Sequence, residues 1–220
     1  MKKVTKKTSK AAMIAEKDRA IVLAACENFL RDGFAGASMD VIAKSAGVSV
    51  KTIYSHFENK SQLFSKTMIA ACSDNLLSGE TPSDEALYER FSWFKDATQR
   101  GLMEAGREYL RHLLSAEQLA LYRVVTRDAD RFPELGRQYQ KNVAQGRTGI
   151  LIAYLRSTAR TNGWPRRNAT QDAALYEALL RAGIYEEALH GLLNVDLDAI
   201  DRHARSSSKT MWKLLVTDCG

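Results

Sequence analysis

The sequence predicts an all-α protein, an N-terminal three-helix unit carrying a helix-turn-helix followed by a larger C-terminal helical domain, about nine helices altogether. Three observations lead there. Apolar residues recur at three- and four-residue spacing through most of the 220 residues, the period of a helix with one buried face. Only three prolines interrupt the chain, and no low-complexity tract follows the lysine-rich start. Residues 38–57 read as two short helices joined by a tight turn.

Residues 1–13 hold five lysines among the first ten positions with no acid beside them, and are expected to form a disordered basic arm. A first helix spans about residues 14–32 and stops at Gly33. Ser38 caps the second, whose apolar positions are Val41, Ile42 and Ala46, and Gly47 supplies the left-handed residue that ends it. Ser49 caps the third, where Ile53 and Phe57 form one apolar face and Val48 pins the angle between the two helices. A fourth runs from Asn59 to about Leu77, and residues 79–83 close a helix-turn-helix domain of residues 14–78.

The domain of residues 84–220 opens with one long helix to Leu114, carrying Leu87, Phe91, Phe94 and Leu102 on its apolar side. Ser115 and Gln118 form a capping box for the next, which ends at Phe132. Pro133 suits the first turn of a helix reaching about Arg160, and residues 163–167 form a loop. A helix from Thr170 to about Leu193 and another capped by Asp196 complete the chain. Ala173, Ala174, Ala178, Ala182, Gly183 and Ala188 would let two helices approach closely, as a subunit interface or a simple intramolecular core requires.

The polar face of the third helix carries Lys51, Thr52, Ser55 and His56. Such a face suits a major groove, with N-terminal residues meeting base edges and flanking cations or hydroxyls holding phosphates. A helical hairpin with a merely solvated face has the same spacing, so the context decides. Residues 1–60 carry eleven Lys or Arg against six Asp or Glu, whereas residues 61–220 carry 21 against 20. The excess positive charge therefore leads directly into the helix pair, as contact with a polyphosphate requires.

Ala24, Ala25, Phe29, Gly33, Phe34, Ser38, Ile42, Ala43, the run Ala46 to Ser49, Thr52, Ile53, Tyr54, His56, Phe57, Lys60, Leu63 and Phe64 follow, in order and spacing, the N-terminal pattern of TetR/AcrR transcriptional regulators. The chain resembles that family across both flanking helices as well as the helix pair. The resemblance implies that Ser38 touches a phosphate, that Lys51 and Thr52 face bases or adjacent backbone, and that Tyr54, His56 and Lys60 hold phosphates. Val50 lies on the base-facing entry beside the cap Ser49, where its methyls can meet a thymine methyl, and Lys51 can donate to guanine. Tyr54 is expected with its ring packed and its hydroxyl outward. A glycine is frequent in the family where Lys51 stands, so operator preference should differ accordingly. Glu108 to Arg111 and residues 121–135 resemble the AefR-like C-terminal branch.

The family likeness implies a homodimer formed through the last two helices, a small-molecule effector of apolar or amphipathic character among residues 84–160, and a double-stranded palindromic operator. Trp93, Phe94, Tyr109 and Tyr122 are aromatic candidates for lining that space or for plain core. The sequence has no Gly-x-Gly-x-x-Gly, no Walker loop and no His-Glu-x-x-His, so no enzyme, cofactor or catalytic residue is expected. Glu186 and His190 stand four apart but lack further ligands, and no metal is expected. No segment approaches the roughly 20 apolar residues that span a bilayer. Cys26, Cys72 and Cys219 show neither paired nor metal-like spacing, which fits a reduced cytoplasm. The rival reading is a non-specific architectural DNA binder. The large, nearly neutral C-terminal part argues against it, because charge-driven binding has no need of one.

Overall fold

A computed structural model describes residues 2–71, 83–164, 168–193 and 196–217. Among these every regular element is helical. They gather into two compact units, one drawn from residues 1–75 and 120–142, the other from residues 76–119 and 143–220.

The first unit contains α1 (Lys2–Gly36), α2 (Met39–Ser45), α3 (Val50–His56), α4 (Lys60–Ala71), most of α7 (Ala116–Asp128) and α8 (Pro133–Tyr139). Its core joins Ile21, Ala25 and Phe29 of α1 to Ile42, Ile53, Phe57, Leu63, Phe64 and Met68, all buried. Phe64 meets Phe29 and Phe34 edge-on at centroid distances of 4.8 and 5.4 Å, and Phe132 meets Phe34 at 4.9 Å. Helix α1 begins at Lys2, inside the segment expected as a disordered arm, and one further turn follows Gly33 before it ends at Gly36. Gly33 (φ 75°, ψ 178°) kinks it, a conformation open to a residue without Cβ. Val41, assigned to the apolar face of α2, is 43% exposed; Met39, Ile42 and Ala43 are the buried residues.

The kink strands two backbone donors, and the chain answers from far away. The N–H groups of Phe34 and Ala35 donate to one oxygen of Asp128, at 2.7 and 3.1 Å, and this carboxylate is only 7% exposed. The Arg127 guanidinium, paired with Asp128 at 3.4 Å, occupies the space that a Cβ on Gly33 would need. Burial alone would raise the carboxyl pKa; the Ala35 amide, Arg127 and the Phe34 amide together outweigh it and hold the group below the usual Asp value.

The second unit contains α5 (Asp84–Arg90), a 3₁₀ turn (Ser92–Lys95), α6 (Gln99–Leu113), α9 (Gln145–Thr161), α10 (Ala169–Arg181), α11 (Ile184–Leu189) and α12 (Leu197–Thr217). Helix α6 packs along α12, and α10 packs on both α9 and α12. Two tyrosines tie these helices together. Tyr154 donates to the Asp96 carbonyl at 2.7 Å, and Tyr176 donates to the Leu102 carbonyl at 2.8 Å while sharing a 2.7 Å bond with Ser208. Burial raises both phenol pKa values, keeping the hydroxyls neutral donors. Each needs a glycine on α6, since a Cβ on Gly101 would collide with the Asp96 carbonyl and Tyr154 hydroxyl, and one on Gly106 with the Tyr176 hydroxyl.

Three long helices of the expected layout are divided. The one assigned to residues 84–114 breaks at Phe91 and Asp96, both extended, because Thr98 takes the Arg100 and Gly101 amides at 3.2 and 3.5 Å and starts α6 afresh. Residues 170–193 break at Gly183, whose φ of 78° no regular helix accommodates. Within residues 133–160, residues Gln140–Ala144 form a π-helical turn. The cap at Asp196 forms, Ala199 N–H donating to it at 2.6 Å, but only half of the capping box at Ser115 does: Gln118 N–H donates to the Ser115 hydroxyl at 3.3 Å, whereas the Ser115 N–H donates to the His112 carbonyl at 3.3 Å rather than to Gln118 Oε1. The expected break at residues 79–82, the end of the fourth helix beyond Ala71 and Cys72 and Cys219 lie outside the described residues.

Two sets of variants test these contacts. Asp128→Ala leaves the buried Phe34 amide and the part-buried Ala35 amide without an acceptor and should cost about 1–3 kcal/mol in denaturant unfolding. Because its folded pKa is depressed, the stabilisation from Asp128 is present above the unfolded value near pH 4 and lost as pH falls through the folded one, so Asp128→Asn should flatten that acid limb. Gly106→Ala should cost about 1–3 kcal/mol by overpacking. Adding Tyr176→Phe should recover part of that loss, a coupling read from the double-mutant cycle.

Candidate nucleic-acid interface

The helix pair is built by its caps. Ser38 occupies the N-cap position of α2 in extended backbone, yet its hydroxyl makes no capping bond. At the other end Gly47 (φ 67°) donates to the Lys44 carbonyl at 3.2 Å and Val48 to the Ala43 carbonyl at 3.0 Å, the paired bonds of a Schellman motif. Two residues later Ser49 opens α3, taking the Thr52 amide at 3.1 Å on its hydroxyl. That hydroxyl also bonds the Thr52 side chain at 2.8 Å, and Ser55 Oγ donates to the Thr52 carbonyl at 2.7 Å.

Helix α3 is held from beneath by Ile53, fully buried, and by Phe57 just beyond its end. Lys51, Tyr54 and Ser55 stand exposed, with Val50, Thr52 and His56 half-buried at its flanks. Tyr54 corrects its expectation: the ring is not packed but 52% exposed, because residue 54 stands about 100° around the helix from Ile53, at the flank of the buried face rather than within it.

Two of the expected phosphate-holding side chains are engaged inside the protein. His56 Nδ1 lies 2.5 Å from an Asp18 carboxylate oxygen on α1. Lys60 donates to the Ala35 carbonyl at 3.4 Å and sits 4.9 Å from the Phe34 ring centroid. Burial lowers the Lys60 pKa, with Asp128 opposing that effect. Asp18 and Asp128 carry no signal in the sequence that marks them for these roles. Each is an ordinary acid on a helix, and only its partner 38 or 94 positions away distinguishes it.

A family model of bacterial regulatory proteins of the tetR family matches residues 21–67, and a model of the AefR-like transcriptional repressor C-terminal domain matches residues 100–213. The chain belongs to the TetR family. It is a DNA-binding transcriptional regulator with α2 and α3 as its helix-turn-helix. Its fold is shared with solved structures of low identity. A TetR-family transcriptional regulator described from Mesorhizobium loti MAFF303099 is 24% identical with a TM-score of 0.74, over 91% of this chain and 97% of that one. The flavonoid-responsive regulator FrrA is 24% identical with a TM-score of 0.72 over the same shares. FadR from Bacillus subtilis, solved with stearoyl-CoA, is 20% identical with a TM-score of 0.56, over 90% and 97%.

The two serines separate stability from recognition. Ser49→Ala should destabilise by about 1 kcal/mol through the lost cap. Ser38→Ala, with no cap to lose, should stay within roughly 0.5 kcal/mol of wild type in thermal unfolding. A large stability loss at Ser38 would refute its assignment as a free hydroxyl.

Proposed function

We propose that this TetR-family regulator is a homodimeric, cytoplasmic repressor that occupies a palindromic operator and is released by a small apolar or amphipathic effector. The observation that carries the DNA reading is the asymmetry of α3, which buries Ile53 and leaves Lys51, Tyr54 and Ser55 uncovered. Val50 lies at the base-facing entry, Lys51 and Thr52 meet bases or adjacent backbone, and Ser38, Tyr54, His56 and Lys60 take phosphates, with Ser55 on the same face and Ser49 keeping the helix entry in place. A seven-residue helix spans few base pairs, so two copies reading half-sites a helical turn apart supply the affinity and specificity a regulator needs.

Several features support pairing through α10 to α12. Leu175 and Leu214 are 44% and 40% exposed, and Ala174, Ala178 and Ala182 are exposed beside them. A groove of about 410 Å³ runs between α10–α11 and α12, lined by Ala182, Ile184, Leu193 and Ala199 among others. Ala173 and Ala188, from the same small-residue series, are buried within the unit and serve its own core. The effector class is supported by FrrA, which responds to flavonoids, and by the FadR complex with stearoyl-CoA. An effector that fits only one conformation shifts the population away from DNA binding. The proposal includes no catalytic step and no cofactor.

Genome-wide binding should yield a few sharp palindromic peaks; a diffuse, strongly salt-dependent signal would instead identify an architectural binder. On the recovered fragment, Lys51→Ala should weaken binding by about 1–3 kcal/mol and Tyr54→Phe by about 1 kcal/mol. Both should remain dimeric in sedimentation. Wild-type affinity in both variants would remove α3 from the DNA.

A further inference from the structure

Asp18 and His56 share a hydrogen bond across α1 and α3, at the edge of the surface proposed to meet DNA. The Asp18 side chain is 46% exposed and the His56 ring 14%. A carboxylate only accepts hydrogen bonds, so the 2.5 Å contact requires the proton on Nδ1. Nε2 is then either bare, in the neutral ring, or protonated, in the imidazolium. Among the described residues Nε2 has no hydrogen-bond partner, and it is not among the buried side-chain atoms that lack one. It is the nitrogen left for an external group.

A phosphate oxygen also only accepts. Presented with a neutral His56 locked in this tautomer, it would meet a lone pair, with the Asp18 charge behind it. Protonation of Nε2 removes both objections at once, giving the ring a second donor and cancelling the carboxylate charge. Without Asp18 the neutral ring is free to move its proton to Nε2 and donate to phosphate with no proton taken up.

We infer that Asp18 is a positioning residue for the His56 phosphate contact, locking the ring as Nδ1–H so that engaging DNA takes up one proton at Nε2. This rests on the proposed reading that α3 lies on DNA with His56 at a phosphate. Asp18 of α1 is the one acidic group within 4 Å of the ring among the described residues. Phe57 faces the ring at a centroid distance of 6.4 Å and carries no charge. Of the ionisable neighbours in sequence, Tyr54 and Glu58 are exposed and Lys60 is turned to Ala35 and Phe34. Glu16, Lys17 and Arg19, beside Asp18 on α1, are exposed.

The test pairs a spectrum of the free protein with a titration of binding. Long-range ¹H–¹⁵N correlation should show the neutral His56 ring as the Nδ1–H tautomer in wild type, with Nε2–H gaining population in Asp18→Asn. Binding to the fragment recovered genome-wide, followed by fluorescence anisotropy from about pH 5.5 to 8, should tighten as pH falls, by at most about tenfold per pH unit for one proton. His56→Gln, whose amide donates at any pH, should remove that slope while circular dichroism shows the helices intact. Asp18→Asn should flatten it while keeping the histidine. A merely structural role for Asp18 would shift affinity equally at every pH. A wild-type slope equal to that of His56→Gln, or a wild-type ring found as Nε2–H, overturns the inference. If wild type binds no fragment at any pH, the DNA reading of α3 fails and this contact with it.

Discussion

The arrangement of the DNA-binding unit depends on one buried carboxylate. Gly33 breaks the hydrogen-bond ladder of α1, and the break frees a buried donor at Phe34 and a part-buried one at Ala35. Asp128 takes both the Phe34 and Ala35 amides, so the turn between the kink and α2 is fixed by a residue from α7. The same corner anchors the start of the helix pair. Phe34 stacks on Phe29 and meets Phe64 and Phe132 edge-on, Lys60 lies over Phe34, and α2 begins only three residues after α1 ends. The direction in which the helix pair leaves α1 is therefore set by a contact 94 residues away in sequence.

Much of the local structure was legible because it rests on local chemistry. Ser49, Ser115 and Asp196 cap helices through their own side chains, and Gly47 ends α2 because only glycine takes its dihedrals cheaply. Ile53 and Phe57 are buried as their spacing requires. Legibility fails where a local cue serves two readings. Gly183 read as one of a run of small interface residues, whereas its positive φ splits α10 from α11. Thr98 looked like an interior helix position until its hydroxyl, itself bonded to Asp96 at 2.5 Å, proved to be a cap. The apolar spacing of Leu87, Phe94 and Leu102 continues across that break and conceals it, because buried residues on separate helices need not lose register.

The candidate site shows the same division. Its residues were found from their pattern, and the structure brings all but Lys60, which opens α4, onto one helix pair, but their states come from partners elsewhere. Ser49, Thr52 and Ser55 have hydroxyls engaged within α3, Lys60 is engaged by Ala35, and His56 by Asp18. Ser38, Lys51 and Tyr54 are the polar groups left without such a bond among the described residues. Groups already hydrogen-bonded within the protein lose that bond when DNA claims them, whereas the free ones give up only their bonds to water. Discrimination among operators should then concentrate on Lys51, the position at which this chain also departs from the family's frequent glycine.

A free reading residue discriminates only if its helix is rigid, and α3 cannot supply that rigidity alone. Seven residues fall well below the roughly 12–15 at which an isolated helix becomes even marginally stable. Its order is borrowed from Ile53 and Phe57 beneath, from the Ser49 cap in front and from the His56–Asp18 pair behind. On the proposed reading, packing under α3 and recognition above it are thus coupled. Loosening the buried face would let Lys51 sample several positions over the groove and weaken base discrimination more than phosphate binding, since charge attraction tolerates displacement and a directed hydrogen bond does not.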